Sequence, residues 1–288
     1  MESEIPSLLA LFGKALKRLF ADEAIPLAGN IAFRTIFSLF PFLIFLTSLA
    51  GFFGTEDLAV RTVNFLLDVA PEGLVKPFAS EIHSVLTVPR AGLLSAAALL
   101  TIWSAMGGVD SVRVCLNRAY DVKEVRSIWY LYVQNVLFVI GAAFVLLAVS
   151  LLLVVLPTIT DVVQAYAPGQ STGLASLDWL RVPLAILLLT CGLVIAHRVL
   201  PSQSIRPRDM LPGIAMTVTV WILLTAGFSW YLRSFNNFAS TYASLSGLFA
   251  TMFFIYLAAL VLIFGGEVNR VFMLYKADAP IPEKPRRG

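Results

Sequence analysis

Long apolar runs alternate with shorter polar segments along this chain, and six of the runs are long enough, or nearly long enough, to cross a bilayer. A transmembrane helix needs about 20 predominantly apolar residues. The pattern therefore predicts an all-α, polytopic membrane protein in which a single membrane domain fills residues 1–288. The six predicted transmembrane helices are 30–54, 91–109, 130–156, 179–200, 210–232 and 246–272.

The positive charges between these helices indicate how the chain crosses the membrane. Counted with the adjoining helix ends, the N-terminal arm, the second and fourth gaps and the C-terminal tail hold fifteen of the 21 Lys and Arg residues, whereas the other three gaps hold five. Segments on the cytoplasmic side of a membrane are enriched in Lys and Arg. Both termini are therefore predicted to be cytoplasmic.

The composition agrees with a membrane protein. The chain is 58% hydrophobic and 14% charged, whereas about a quarter of the residues in a soluble domain are charged. The net charge of +3 is accounted for by this topology, so no nucleic-acid partner is expected. Because Cys115 lies in a cytoplasmic gap and Cys191 inside a span, no disulfide is expected either.

Residues 6–24 precede the first span and are predicted to form an amphipathic interfacial helix. Apolar side chains at helical spacing share one face, and Lys14, Lys17 and Arg18 lie opposite. Such a helix is suited to the interface of the cytoplasmic leaflet. A helix that packs beneath the bundle explains the same pattern equally well.

The gap 55–90 is predicted to be an extracytoplasmic helical loop. Thr55, followed by two acidic residues, is typical of a helix start. Pro71 and Pro77 then separate two short apolar stripes. Two short helices at the outer surface are therefore expected.

Charged residues within the spans are the candidates for function, because a charge at mid-membrane costs about 2.5–3.5 kcal/mol on insertion scales. The topology brings Arg34, Asp110 and Glu267 to the same cytoplasmic third of the membrane, where Arg34 is expected to pair with either carboxylate. Two interpretations stay open: a static ion pair that holds helices together, and a cavity that receives a charged headgroup or ion. The predicted cavity residues are Arg34, Asp110, Asn117, Arg118, Glu267 and Asn269.

Small residues and one proline flank these charges and are predicted to serve as hinge or packing positions. Glycine permits close approach of two helices, and a proline inside a helix removes a backbone hydrogen bond. The positions are Pro41, Gly107, Gly108, Gly265 and Gly266.

The sequence lacks the usual signatures of an enzyme. His83 and His197 are predicted on opposite sides of the membrane, so they cannot share a metal site. No Walker loop, nucleophile elbow or paired-cysteine motif is present. We therefore expect no catalytic residues, no metal and no cofactor.

Four ordered stretches of the chain form a recognisable set. They are 28–33 with 38–41, then 102–104 with 116–120 and Arg126, then Pro201 with 208–213, Trp221, Phe228 and Tyr231, and finally Tyr242, Gly247 and 265–269. Together they resemble the YihY/BrkB family of bacterial inner-membrane proteins, formerly labelled ribonuclease BN. Arg34 and Ala243 depart from the family pattern, in which an uncharged residue and a glycine are frequent at these positions.

The resemblance implies a multi-pass inner-membrane protein of the cell envelope, and some family members are linked to serum resistance or to export of lipopolysaccharide precursors. Together with the intramembrane charges, it favours a transporter or flippase-like protein for an anionic lipid or other amphiphile, with membrane lipids as partners. A structural or assembly factor of the envelope is the alternative. A membrane-bound ribonuclease is the third hypothesis, and no group of residues supports it.

Overall fold

The computed structural model describes residues 8–53, 91–157, 160, 178–234 and 243–277, and these residues are almost entirely helical. The prediction of an all-α fold is confirmed. In chain order the α-helices are α1 (Leu8–Ala21), α2 (Ala24–Phe53), α3 (Ala91–Ala119), α4 (Ile128–Ser150), α5 (Asp178–Val199), α6 (Pro207–Ser234) and α7 (Ala243–Lys276).

Each helix from α2 to α7 contains a segment long and apolar enough to cross a membrane, so the described part of the chain has six candidate spans. The helices begin and end where local chemistry favours it. The Ser127 hydroxyl accepts a bond from the amide of Tyr130 at the start of α4. Pro207 occupies the first position of α6, where its missing N–H costs nothing. A π-helical turn, Leu151–Val155, follows α4 directly.

The surface of α4 shows that this helix is suited to a lipid environment. None of its most apolar window is buried inside the protein. Large side chains such as Leu137, Phe144 and Leu147 are more than 60% exposed. A soluble protein rarely exposes so large an apolar surface, whereas lipid tails cover it readily. The buried residues of α4 are the polar Gln134 and Asn135.

The described chain forms two compact units. The first combines residues before Phe33 with those from Gly108 onward, and the second runs from Phe33 to Gly107. In the second unit the guanidinium of Arg34 lies against Gly107, where an added Cβ would overlap Arg34 Nη1.

Three buried clusters form the core of the first unit. Leu11 and Ala15 of α1 pack against Val268 and Val271 of α7. Leu19 packs with the first turns of α2 and with Cys115, Ala259 and Ile263. The third cluster joins the end of α3 to α5, α6 and the loop between them, and comprises Leu116, Tyr120, Leu193, Ala196, Leu200, Ile205, Met210 and Ile214.

The position of α1 differs from the simple amphipathic expectation. Its buried face runs through Leu11, Ala15 and Leu19 and includes Arg18, which the sequence placed on the polar face. Leu9 and Phe20, expected on the packed apolar face, are more than half exposed. Thus α1 packs against α7 with one side and presents apolar side chains outward with the other.

Helices α6 and α7 cross at a pair of glycines. A Cβ on Gly213 would overlap the carbonyl oxygen of Gly265 and the amide of Asn269. A Cβ on Gly265 would overlap the Thr217 hydroxyl. In a bilayer lipid tails are as apolar as side chains, so this close backbone packing is a main source of association between helices.

Several predicted features lie outside the described residues. These are the helical loop 55–90, which includes His83, and Tyr242. Pro41 is described, and α2 continues through it.

We expect Gly213→Ala to destabilise the protein by about 1–3 kcal/mol, because the crossing has no room for a methyl group. Gly227→Ala in the same helix is the matched control, since a Cβ there meets nothing within 4 Å. Helix propensity alone makes that change neutral or slightly stabilising. Unfolding in detergent measures both. Equal stability of the two variants would contradict the close crossing.

Candidate functional site

A buried ion-pair network joins α1, the end of α3 and α7. Arg18 Nε donates to Glu267 Oε2 at 2.9 Å, and Arg18 Nη2 donates to Asp121 Oδ2 at 2.8 Å. The side chains of Arg18 and Glu267 are 3% and 0% exposed. The buried carboxyl of Asp22 also interacts with Glu267. Such a pair is stable only when both charges keep their partners.

The electrostatics keep Arg18 charged although it is buried. Burial lowers the pKa of the guanidinium, but Glu267 and Asp121 together outweigh this, and the net effect raises the pKa. Arg18 Nη2 also donates to the carbonyl oxygen of Ala119 at 3.3 Å, the last residue of α3. One arginine of α1 therefore pairs with two carboxylates and donates a hydrogen bond to a carbonyl oxygen at the end of α3.

Two acidic residues of this region sit in the left-handed backbone conformation that few non-glycine residues adopt. Glu23 follows α1 with φ 57°, and Asp121 follows α3 with φ 58°. Each binds a cation: Glu23 pairs with Arg118 at 2.9 Å, and Asp121 pairs with Arg270 at 3.2 Å as well as with Arg18. Strain at such positions persists where surrounding contacts hold the backbone.

A second network connects α3, α5, α6 and α7 through uncharged groups. The Gly213 amide donates to Asn269 Oδ1 at 2.7 Å, which fixes the orientation of that side chain. Asn269 Nδ2 then donates to the Tyr120 hydroxyl at 3.0 Å. The Tyr120 hydroxyl also shares a hydrogen bond of 2.7 Å with His197 Nδ1. Burial raises the pKa of Tyr120, so this hydroxyl keeps its proton.

A third network holds the end of α5 against the loop between α3 and α4. Arg126 Nη2 donates to the carbonyl oxygen of Leu200 at 2.6 Å, and Gln134 Nε2 donates to that of Val199 at 2.5 Å. Carbonyl groups at the C-terminal end of a helix lack partners within the helix. These two side chains supply the missing donors for α5.

Glu124 is the centre of this third network. Its carboxylate accepts bonds from Arg126 Nε and Nη2, both at 2.8 Å, and from Arg113 Nη1 at 2.7 Å. The hydrogen bonds from Arg126 hold the pKa of Glu124 well below its usual range. Asn117 adds another bond to Glu124 at 3.1 Å, and its oxygen accepts the Ser202 amide at 2.8 Å.

An apolar groove of about 570 Å³ begins beside this third network. It runs along α4 and α5, with one contribution from α6. A Cβ built on Gly141 or Gly192 meets nothing within 4 Å, so the two glycines leave the groove open. Its lining residues are Tyr130, Val133, Gln134, Leu137, Phe138, Gly141, Ala142, Val145, Leu146, Leu189, Gly192, Leu193, Ile195, Val199 and Trp221.

Comparison with known proteins identifies the family. The family model of virulence factor BrkB matches residues 15–288 of this chain. The chain belongs to this family. A putative ribonuclease-like protein, YfkH of Bacillus subtilis, is 29% identical over 94% of this chain and 98% of its own length. A UPF0761 membrane protein of Alteromonas mediterranea is 25% identical over 91% and 87% of the two chains. No solved structure matches.

In this BrkB-family chain, the predicted cavity residues belong to different networks. Glu267 bonds to Arg18, which is not one of the predicted cavity residues, and Asn269 bonds to Tyr120. Asp110 pairs with Arg113, Asn117 binds Glu124, and Arg118 pairs with Glu23. Arg34 lies in the second unit. Their role as one substrate cavity stays a prediction.

The predicted packing glycines occupy distinct positions. A Cβ on Gly266 would lie 3.1 Å from that of Ala119, so this glycine lets α7 approach α3. Gly265 lies at the crossing with α6, and Gly107 lies beside Arg34. At Gly108 an added Cβ would meet nothing within 4 Å.

Sequence analysis missed Arg18, Glu124, Gln134 and the groove. For Gln134 a signal existed, because it and Asn135 interrupt the longest apolar stretch of the chain with two polar residues. For Arg18 no signal was available, because it resembles the neighbouring Lys14 and Lys17, which are exposed.

We expect Arg18→Gln to cost about 3–5 kcal/mol of stability, because it leaves Glu267 and Asp121 without their shared cation. Adding Glu267→Gln should recover part of this loss. Lys17→Gln, an exposed change one residue away, should stay within about 0.5 kcal/mol of the unmodified protein. Unfolding of the unmodified protein, Arg18→Gln, Glu267→Gln and the double variant forms a double-mutant cycle, and additive losses would show that the pair is not coupled.

Glu124→Gln should cost about 1–3 kcal/mol near neutral pH by weakening bonds to two guanidinium groups. A carboxyl whose pKa is lowered by folding stabilises the protein above its unfolded pKa, about 4.3 for Glu, and loses this contribution as the pH falls further. The stability difference should therefore be constant from about pH 7 to 5 and shrink below about 4.3. Lys123→Gln is the exposed neighbouring control. A difference that grows in acid would contradict this assignment.

Proposed function

We propose that this protein is an inner-membrane transporter or flippase-like factor for an anionic lipid or another anionic amphiphile. The observation that carries the proposal is the apolar groove along α4 and α5. Its volume of about 570 Å³ lies within the range of roughly 300–1,000 Å³ that is typical of ligand pockets.

The lining of the groove is chemically suited to an acyl chain. Aliphatic and aromatic side chains cover it, and Gln134 is the polar exception among its lining residues. Both flanking helices contain candidate spans, so a lipid tail can enter from the bilayer without crossing water. Burial of apolar area contributes less to binding from lipid than it does from water. The shape of the groove therefore supplies the selectivity for the acyl chain.

Polar and cationic groups stand at one end of the groove. Gln134 lies there together with Val199, whose carbonyl oxygen it binds. Arg198 is exposed and follows the groove residue Ile195 by three positions, which places both on one side of α5. An anionic headgroup beside Arg198, with its tail in the groove, satisfies both ends of an amphiphile.

The proposed orientation follows from the distribution of positive charge. The segments rich in Lys and Arg, including both terminal segments, belong on the cytoplasmic side. The three networks and the end of the groove at Val199 then face the cytoplasmic leaflet. Energy comes from an ion gradient or from the substrate concentration, since the sequence has no nucleotide-binding loop.

An assembly or structural factor of the envelope is the second candidate. The observation in its favour is that Arg18 bonds to both Asp121 and Glu267, as expected of helix-joining groups. We propose that the protein is not a ribonuclease. Within the described residues, no three His, Cys, Asp or Glu side chains are grouped to hold a metal ion.

Purified protein in phosphatidylcholine vesicles should accelerate transbilayer movement of a fluorescent phosphatidylglycerol more than of a fluorescent phosphatidylcholine. Leucine at Gly192 fills the groove, so Gly192→Leu should slow the movement about tenfold, as expected for a loss of about 1.4 kcal/mol. Bleaching of the outer leaflet measures the rate, with and without an imposed proton gradient.

Gly227→Leu provides the matched control, because that glycine also has open space around it and does not line the groove. It should move lipid at the unmodified rate. Equal slowing by both substitutions would remove the groove from the mechanism. Folded protein that moves neither lipid, with or without a gradient, would favour the assembly role instead.

A further inference from the structure

A second cavity, of about 520 Å³, opens near the ends of α3 and α7. It shares no lining residue with the apolar groove. Its walls come from Tyr120, from the loop before α6, from the first turn of α6 and from the last turns of α7. This cavity is therefore distinct from the site of the proposed transport.

Three cationic side chains line the second cavity: Arg206, Arg270 and Lys276. One carboxylate, Asp209, also lines it and binds Lys276 Nζ at 3.3 Å. Arg206 is exposed, and Asp121 fixes Arg270 through its Nε. The walls therefore carry more positive than negative charge.

The surrounding helices add to this potential and hold the walls in place. The 28-residue helix α6 begins at Pro207, beside the cavity, and the N-terminal end of a helix carries partial positive charge. Opposite it, α7 is fixed against α6 by the Gly213–Gly265 crossing. Tyr120 is held in place by hydrogen bonds with Asn269 and His197. Cations from α7 and from the loop before α6 thus converge on one preformed space.

We propose that this cavity binds a phosphate group, as a phosphomonoester or diphosphate, carried either by a soluble molecule or by a lipid headgroup. Guanidinium groups match the geometry of phosphate oxygens, and an ammonium group adds a point charge. The lining holds three cations and one carboxylate, so it favours an anion. The anion competes with Asp209 for Lys276, so that carboxylate weakens binding.

Because of this competition, substitutions of a cation and of Asp209 are expected to change the affinity for phosphate in opposite directions. Arg206→Gln removes a cation from the wall and should weaken phosphate binding about tenfold, the equivalent of one charged contact. Asp209→Asn releases Lys276 and should tighten binding by several-fold, an order-of-magnitude expectation for one screened pair. Arg208→Gln is the matched control, because Arg208 is exposed two positions away and does not line the cavity.

The test uses the full-length protein in nanodiscs of uncharged phosphatidylcholine. Calorimetric titration with inorganic pyrophosphate and with glycerol 1-phosphate measures soluble ligands. A parallel series of nanodiscs containing phosphatidic acid, read by thermal stability, measures the lipid-borne phosphate. A response to the soluble ligands alone, or to phosphatidic acid alone, identifies which molecule carries the phosphate. Either response supports the proposal when Arg206→Gln weakens binding and Arg208→Gln does not.

Three results would overturn the proposal. The first is the absence of any response to pyrophosphate, glycerol phosphate and phosphatidic acid. The second is equal weakening by Arg206→Gln and Arg208→Gln, which would indicate general surface electrostatics. The third is unchanged or weaker binding by folded Asp209→Asn protein. Gly192→Leu should leave phosphate binding unchanged, so a failure of lipid transport does not decide this question.

Discussion

The ion pair between Arg18 and Glu267 is the contact on which the packed end of the first unit depends. Both side chains are almost fully buried, and a lone buried charge costs several kcal/mol. Arg18 can meet Glu267 only when α1 lies along α7, and it can meet Asp121 only when α3 ends beside them. One guanidinium thus specifies the positions of three elements, a task that nonspecific apolar packing performs poorly in lipid.

The other contacts follow from this placement. With α7 fixed, Asn269 reaches both the Gly213 amide and the Tyr120 hydroxyl, and the glycines permit the approach of α6 that those bonds need. The Asn269 side chain uses its oxygen and its nitrogen for different helices, so a rotation of α7 would break both bonds. Ionic and uncharged networks therefore enforce the same helix register.

The sequence predicted the transmembrane helices well because length and apolarity are local properties. The partners of the polar groups depend instead on tertiary packing. Arg18 faces α7 whereas the neighbouring Lys17 is exposed, and Asp121, whose backbone has a positive φ, binds two arginines that lie far from it in the sequence. The groove was equally hidden, since α4 is apolar on nearly every side and its pattern does not show which side meets α5.

The loop between α5 and α6 gives the groove and the second cavity a common boundary. Val199 closes one end of the groove, and Arg206 lines the cavity a few residues later. Arg126 binds the carbonyl oxygen of Leu200, and Asn117 binds the amide of Ser202. The backbone of this loop is therefore held through one carbonyl group and one N–H group. Leu200 and Ile205 are buried in one cluster. Glu124 accepts bonds from both Arg126 and Asn117, so one carboxylate orients the two side chains that hold this loop.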